Sequence, residues 1–267
     1  MSGQDPFVEC GRTGAPVRHA FVMDSHCHLG PISRMRVLDS SAESLVRTMD
    51  RMGVARAVAT GCPACADGLI VRGNDLVIDA VRRFPDRILG YFSVNPLYPR
   101  EAESELARCL AAGLRAIKVH NGQGTPYNHP SYEQVWEFAA AHKLPVLAHT
   151  WGKPLAELED AVRRHPGITW ILAHGGSVNP EAYVQAVRQY PNVYVDTPLS
   201  RYPRGLVEWL VAQGIEDRLL WGTDIAFLNG PGQLGRILFA QITRVQKEKI
   251  LGGNALRVFG FQAVSPS

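Results

Sequence analysis

The sequence predicts one α/β domain that folds as a closed (β/α)8 barrel, the TIM barrel. Short apolar, β-branched runs alternate with amphipathic stretches along the whole chain, a pattern typical of parallel strands joined by crossover helices. Eight such units fit into 267 residues, which is the usual size of this barrel. A doubly wound open sheet is the alternative that the alternation alone leaves open.

The eight predicted strands share an apolar, β-branched composition. They are Ala20–Met23, Ala57–Thr60, Ile88–Val94, Leu114–Val119, Val146–His149, Thr169–Ala173, Val193–Asp196 and Leu219–Gly222. The predicted helices show a period near 3.6 residues. They are Ala42–Met52, Leu76–Phe84, Glu101–Ala112, Tyr132–His142, Leu155–His165, Glu181–Tyr190, Leu206–Gln213 and Lys247–Phe259. Residues 1–18 are interpreted as a loose lead-in, and residues 19–262 as the single barrel domain.

Composition excludes several classes of function. The net charge is +3 without a basic tract, so we expect neither a nucleic-acid nor a membrane partner. No stretch of about 18 apolar residues is present to span a bilayer. Five cysteines without disulfide-framework spacing indicate a reducing compartment, which we take to be the cytoplasm. The expected partners are a small-molecule substrate and a second copy of the chain in a homodimer.

The segment Asp24-Ser25-His26-Cys27-His28 is the strongest functional signal. Alternate residues of a strand share a face, so His26 and His28 would point the same way. Two imidazoles at one strand end form half of a metal site.

Other strand ends supply the second half of that site. His149 ends the fifth predicted strand, and Asp224 follows the eighth. The carboxyl ends of barrel strands converge on one face, so these side chains are predicted to meet His26 and His28. The mixed nitrogen and oxygen set suits zinc, iron or manganese.

Taken together, these motifs resemble the amidohydrolase superfamily. Asp-x-His-x-His follows the first strand, single histidines (His149, His174) follow the fifth and sixth, and Gly-Thr-Asp ends at Asp224. The closing segment Lys249–Phe259 is similar to the tail of the amidohydrolase-related branch. That branch includes aminocarboxymuconate-semialdehyde decarboxylase, related aromatic-acid decarboxylases and lactonases.

The resemblance implies one divalent metal ion, most often Zn²⁺, with Fe²⁺ or Mn²⁺ possible, held by His26, His28, His149 and Asp224. It also implies catalytic roles for two of the site residues. His174 would polarise the substrate beside the metal, and Asp224 would accept a proton from metal-bound water.

Several further residues are candidates for contacts with substrate. Lys118 and His120 end the fourth predicted strand, while Arg201 and Trp151 lie in later loops. Lys118 has two interpretations, because dinuclear branches of the superfamily use a carboxylated lysine near this place to bridge two metals. Asp24 is either the partner of an imidazole N–H or a buried structural carboxylate. Asp196 could orient His174 or bind substrate, or it could cap the next turn. The remaining loop candidates are Arg34, Tyr127, Tyr202 and Phe227.

The predicted function is a metal-dependent hydrolase that uses activated water to cleave an ester, lactone or amide bond of a small molecule. The alternative is a nonoxidative decarboxylase, a lyase, acting on an aromatic or unsaturated carboxylic acid. The ligand set suits both reactions, and the short length of the chain favours the hydrolase. A TatD-like nuclease and a barrel with a purely structural metal rank lower. Cys62 and Cys65 have redox spacing but are interpreted as plain loop cysteines.

Overall fold

The computed structural model describes residues 5–153, 155–176 and 178–260. Eight parallel strands form one sheet in the order of the sequence. They are β1 Met23–Leu29, β2 Arg56–Gly61, β3 Ile88–Phe92, β4 Ala116–Val119, β5 Val146–Ala148, β6 Trp170–Leu172, β7 Val193–Asp196 and β8 Leu219–Leu220. The amide of Ser25 donates to the carbonyl of Trp221 at 3.0 Å, which joins the last strand to the first. The predicted barrel is thereby confirmed.

Helices surround the strands on the outside. They are α1 Pro6–Thr13, α2 Ala42–Met52, α3 Cys62–Asp67, α4 Ile70–Arg83, α5 Pro99–Ala111, α6 Glu133–Ala141, α7 Glu159–Arg164, α8 Pro180–Gln189, α9 Leu206–Ala212, α10 Gly230–Leu238, α11 Arg244–Glu248 and α12 Asn254–Phe259. A π-helical turn, Lys249–Gly253, lies between α11 and α12. Within the described residues, none of the helices has the length and apolar character to cross a bilayer.

Two apolar layers stabilise the barrel, as expected when strand residues alternate between two faces. The inner cluster is drawn mostly from strands and includes Met23, Val58, Tyr91, Leu147 and Leu220. The larger outer cluster lies between the strands and the helices. The buried Tyr91 hydroxyl donates to the carbonyl of Ser25 at 2.9 Å, so the polar end of this ring is satisfied inside the barrel.

The first strand differs from its predicted position. The sequence places the histidine motif after a strand over Ala20–Met23, whereas β1 begins at Met23 and contains the whole motif. The register with β2 shifts between Asp24 and Cys27, as in a β-bulge. The histidines are polar, so the hydrophobic pattern of the sequence does not predict a strand there. They are nevertheless buried, because they face the mouth of the barrel.

The N-terminal lead-in, expected to be loose, contains the helix α1. Asp5 caps this helix by accepting from the amide of Phe7, whose ring is buried. The ammonium of Lys247 lies 2.6 Å from the Asp5 carboxylate and also donates to the carbonyl of Leu238 at 2.7 Å. The partner that fixes α1 is therefore near the other end of the chain, where a local sequence pattern does not reveal it.

Helix α3 lies unusually close to α4. A Cβ atom added at Gly61 would overlap the backbone of Gly73, and one added at Gly73 would overlap the backbone of Ala64. Glycine at both places therefore allows backbone-to-backbone packing. This contact fixes α3, a helix the sequence pattern misses, against the mouth of the barrel.

Candidate metal centre

Three side chains, two from β1 and one from the segment after β8, meet at the carboxyl end of the barrel. His28 Nε2 lies 2.9 Å from Asp224 Oδ1 and 3.2 Å from His26 Nε2. His26 Nε2 is 3.7 Å from the same carboxylate oxygen. All three donor atoms lie within 4.8 Å of one another. Two imidazole nitrogens and one carboxylate directed at one point fit a divalent transition-metal ion.

Asp24 connects the two segments that carry these ligands. Its carboxylate accepts from the amide of His26 at 3.1 Å and from the amide of Thr223 at 3.0 Å. Burial raises the pKa of Asp24 to about 7, although these hydrogen bonds oppose the shift. The carboxylate of Asp24 binds two backbone amides and the hydroxyl of Thr223, which favours the structural one of its two predicted roles.

The outer nitrogen of His26 is held by Asp196, at the end of β7. Asp196 Oδ2 lies 2.7 Å from His26 Nδ1, and Oδ1 accepts from the amide of His174 at 2.7 Å. This bond leaves Nε2 of His26 as the nitrogen that faces the centre. Burial raises the pKa of Asp196 to about 6, against the lowering effect of the charge on His174.

His174, which follows β6, lies beside the trio. Its ring centroid is 5.1 Å from that of His26. The carbonyl of Pro198 accepts from His174 Nδ1 at 2.8 Å, and Nε2 lies 3.1 Å from His149 Nδ1. The backbone of His174 has a φ of 62°, a left-handed conformation that non-glycine residues rarely adopt and that is common at functional sites.

His149, the fourth predicted ligand, lies outside the trio. Its ring stacks on that of His120 at a centroid distance of 3.9 Å, and it contacts His174 as described above. Of the three-donor clusters found in the described part of the chain, none includes His149. Its role as a ligand stays a prediction.

Lys118 is a buried cation at the centre of the site. Its side chain is 1% exposed, and Nζ lies 3.2 Å from His26 Nε2. No carboxylate oxygen among the described residues lies within 4.0 Å of Nζ. Burial lowers the pKa of Lys118, and burial together with the charge of Lys118 lowers the pKa of His120 to about 3.

Aromatic side chains flank the histidines. The ring of Phe227 lies 4.6 Å from that of His28, and the ring of Trp151 lies 5.7 Å from that of His174. Trp151 is 46% exposed, so it belongs to the rim of the site. Arg201 and Arg34 are exposed on their loops.

Two other loop candidates have structural partners. The hydroxyl of Tyr127 donates to the carbonyl of His149 at 2.9 Å. Tyr202 packs under the guanidinium of Arg236, whose carbon lies 4.3 Å from the ring centroid. The contact of Tyr127 with His149 places Tyr127 in the wall of the site.

His28 and Asp224 form an ion pair in the absence of metal. Burial alone would lower the pKa of His28, but hydrogen bonds with Asp224 and Cys62 raise it to about 9. Burial alone would raise the pKa of Asp224, but the same bond from His28 and the charge on His26 bring it below its usual range. The carboxylate is therefore ionised, as a metal ligand must be.

The two cysteines of α3 approach this pair, which the spacing of the sequence did not predict. Cys65 Sγ lies 3.9 Å from His28 Nδ1, and Cys62, three residues earlier in α3, helps to raise the pKa of the same imidazole. Both thiols are buried, and burial raises the pKa of Cys65 to about 11. The sequence pattern does not predict α3, the helix directly after β2 that places these thiols beside His28.

With the fold and the ligand trio defined, the chain can be placed among known proteins. The amidohydrolase family model matches residues 23–261, so this chain belongs to the amidohydrolase family. A curated relative, gamma-resorcylate decarboxylase from a Polaromonas species, is 23% identical and covers 86% of this chain and 90% of its own.

Solved structures agree on the fold. The 2,6-dihydroxybenzoate decarboxylase of Rhizobium aligns with a TM-score of 0.72 at 18% identity, covering 90% of this chain and 99% of that one. A dihydroxybenzoic acid decarboxylase from a Polaromonas species, with bound manganese and the inhibitor 2-nitroresorcinol, aligns with a TM-score of 0.69 at 18% identity. That alignment covers 90% of this chain and 97% of the other.

The expectation of a hydrolase is wrong. The relative that matches most of the chain is a decarboxylase, as are the two solved structures described above. The ligand residues were unable to distinguish the reactions, because the same donor set serves both. The choice of hydrolase had depended on the short length of the chain, which says nothing about the atoms at the reacting centre.

Proposed function

We propose that this protein is a metal-dependent, nonoxidative decarboxylase of a hydroxylated benzoate. The observation that carries the proposal is the alignment with gamma-resorcylate decarboxylase along most of both chains. The geometry of the site supports it, because a two-histidine, one-carboxylate trio lies beside a buried cation, with the ring of Phe227 near His28 and that of Trp151 near His174.

We further propose that His26, His28 and Asp224 hold one divalent ion, with His149 as the fourth ligand. A divalent ion bound there would supply Lewis-acid stabilisation of negative charge on the substrate oxygens. Mn²⁺ is favoured by the manganese in a similar solved structure. Zn²⁺, the ion implied by the sequence resemblance, and Fe²⁺ suit the same donors.

Lys118 is proposed to pair with the carboxylate of the substrate. A buried ammonium without a carboxylate partner is costly, and an anionic substrate would supply that partner. This role replaces the bridging of a second metal, because the ammonium already lies against His26 Nε2. Phe227 and Trp151 would contact the faces or edges of the substrate ring, with His120 and Arg201 as further contacts.

His174 is proposed to deliver the proton. The reaction adds a proton to the ring carbon that bears the carboxylate. The carbon–carbon bond then breaks, its electron pair returns to the ring, and CO2 leaves. Because Nδ1 of His174 donates to the carbonyl of Pro198, the proton delivered to the ring would be a second one, carried on Nε2, and its loss would leave the neutral imidazole. Asp224, ionised beside His28, would stay an anionic ligand.

The experiment is to incubate Mn²⁺-loaded protein with 2,6-dihydroxybenzoate and to measure CO2 and resorcinol. We expect equal amounts of both products, and one deuterium on the vacated carbon when the reaction runs in D2O. The matched control is the Asp224→Asn variant. Absence of CO2 from a panel of mono- and dihydroxybenzoates, with Mn²⁺ or Zn²⁺ bound, would refute the proposal.

We keep the cytoplasm as the proposed location and a homodimer as the proposed assembly. All five cysteines are free thiols, as expected in a reducing compartment. Size measurement in solution tests the assembly, and fractionation of the native cell tests the location.

A further inference from the structure

The three buried histidines of the site differ in what holds their outer nitrogen. His26 Nδ1 faces a carboxylate at 2.7 Å, and His174 Nδ1 faces a carbonyl at 2.8 Å. These are the usual partners of imidazoles that bind metals. His28 is different, because its Nδ1 lies 3.9 Å from the sulfur atom of Cys65, and the sulfur atom of Cys62 lies on the same side of α3.

The position of those sulfur atoms is fixed by the fold. Cys62 and Cys65 are three residues apart in α3, so they lie on the same side of the helix. They are 0% and 2% exposed, respectively. The glycine contact between α3 and α4 leaves little freedom for the helix to move away from β1.

A second contact presses the same helix against β1. Pro63 packs on Gly30, where an added Cβ would lie 3.2 Å from the proline ring. The thiols are therefore held beside His28 by backbone packing on both sides of α3.

We propose that Cys62 and Cys65 are positioning residues for His28, with sulfur accepting the Nδ1–H of its imidazole. This bond fixes the tautomer that presents the lone pair of Nε2 to the metal. The inference rests on the proposed function only in taking His28 to be a metal ligand. Sulfur is a weaker acceptor than a carboxylate, so His28 is the weaker nitrogen donor of the two, and His26 is the stronger.

A redox role for this pair has less support. Reactive thiols are partly exposed and have a lowered pKa, whereas both of these are buried, and burial raises the pKa of each. Their neutral sulfur atoms are suited to accepting a hydrogen bond.

The test compares alanine with serine. We expect the double variant Cys62→Ala/Cys65→Ala to bind Mn²⁺ about 10- to 100-fold more weakly, the range found when outer partners of metal ligands are removed. The double serine variant retains an acceptor and should recover most of the affinity. Cys109→Ser is the matched control, because this buried thiol contacts Glu105, away from the site, and should bind Mn²⁺ normally. Affinity is measured as free Mn²⁺ by electron paramagnetic resonance.

A second readout follows the imidazole directly. In protein labelled with ¹⁵N-histidine, His28 should show a protected Nδ1–H signal, assigned by its loss in His28→Gln. The alanine variant should lose that protection. Its melting temperature without metal shows whether the protein is still folded, so that loss of the Nδ1–H bond is distinguished from unfolding. Wild-type affinity and an unchanged Nδ1–H signal in the alanine variant would overturn the proposal, as would failure of the wild type to bind a divalent ion. Normal metal binding without CO2 release would refute only the decarboxylase.

Discussion

His28 Nε2 and Asp224 Oδ1 lie 2.9 Å apart although one belongs to the first strand and the other follows the last. The amide of Asp224 also donates to the carbonyl of His26 at 2.8 Å. Side chain and backbone thus join the same two segments.

Asp224→Asn should abolish stable metal binding. The amide is neutral and a poorer ligand than the carboxylate it replaces, so we expect at least a tenfold weaker affinity for Mn²⁺ and loss of most CO2 release. Metal content after gel filtration gives the first value. Asp86→Asn, at an exposed position, is the control and should retain one ion per chain. Full metal content in Asp224→Asn would remove this residue from the ligand set.

Metal affinity should depend on pH through His28. The pKa of His28 is raised to about 9 without metal, and an ion can bind only after Nε2 loses its proton. We therefore expect affinity to rise about tenfold per pH unit below pH 9, and to level off above it. Isothermal titration in buffers of different ionisation enthalpy should show release of one proton. Affinity that is constant between pH 6 and 8 would contradict this account.

His149→Ala distinguishes two roles for His149. As the proposed fourth ligand, its removal should weaken Mn²⁺ binding by tenfold or more. If the affinity is unchanged while kcat falls, His149 acts only through its contact with His174 Nε2. His129→Ala is the control, because His129 is exposed and bonds only locally to Ser131 in the described structure.

Lys118→Met should weaken the binding of anionic substrates without lowering stability. Loss of a buried ion pair with the substrate costs about 2–5 kcal/mol, so kcat/KM should fall at least 30-fold. The melting temperature should be unchanged or higher, because an unpaired buried charge is removed. Lys143→Met, at an exposed turn, serves as the control. A lower melting temperature with normal kcat/KM would make Lys118 a structural residue.

Asp5→Asn should weaken the attachment of α1 to the barrel. The substitution removes the negative charge that faces the buried ammonium of Lys247 and leaves a weaker, neutral amide acceptor in its place, at a cost of about 1–3 kcal/mol. Burial alone would raise the pKa of Asp5, but the hydrogen bond with Lys247 lowers it below the unfolded value of 3.8. The stability that this ion pair contributes is therefore fully present above pH 3.8. It is lost as pH falls through the folded value. In urea unfolding, the free energy of unfolding of the variant should be lower than that of the wild type at pH 7, and the difference should be smaller at pH 3. An equal difference at both pH values would exclude the ion pair as its cause.

The sequence predicted the barrel because alternation of strand and helix is a local, repeated signal. It also predicted that His26, His28 and Asp224 meet, because the fold places strand ends together. The thiols near His28 were not predictable in the same way, and Asp196, which the sequence assigned to His174, holds the ring of His26 instead. Their contacts depend on a bulge in β1, on α3, which is too short to show an amphipathic pattern, and on the close backbone packing at Gly61 and Gly73. These are tertiary features with no periodic signature.

The junction of β1 with the segment after β8 also has a consequence for folding. The proposed ligand trio comes together only when the two ends of the sheet have met, so neither an N-terminal nor a C-terminal fragment contains it. Contacts this distant in sequence form late and slow the search for the native state. An ion that binds only the closed form would stabilise it by about 2.7 kcal/mol at a concentration 100 times its Kd. Metal supply would then set how often the barrel opens at its seam, and with it the exposure of the chain to proteolysis.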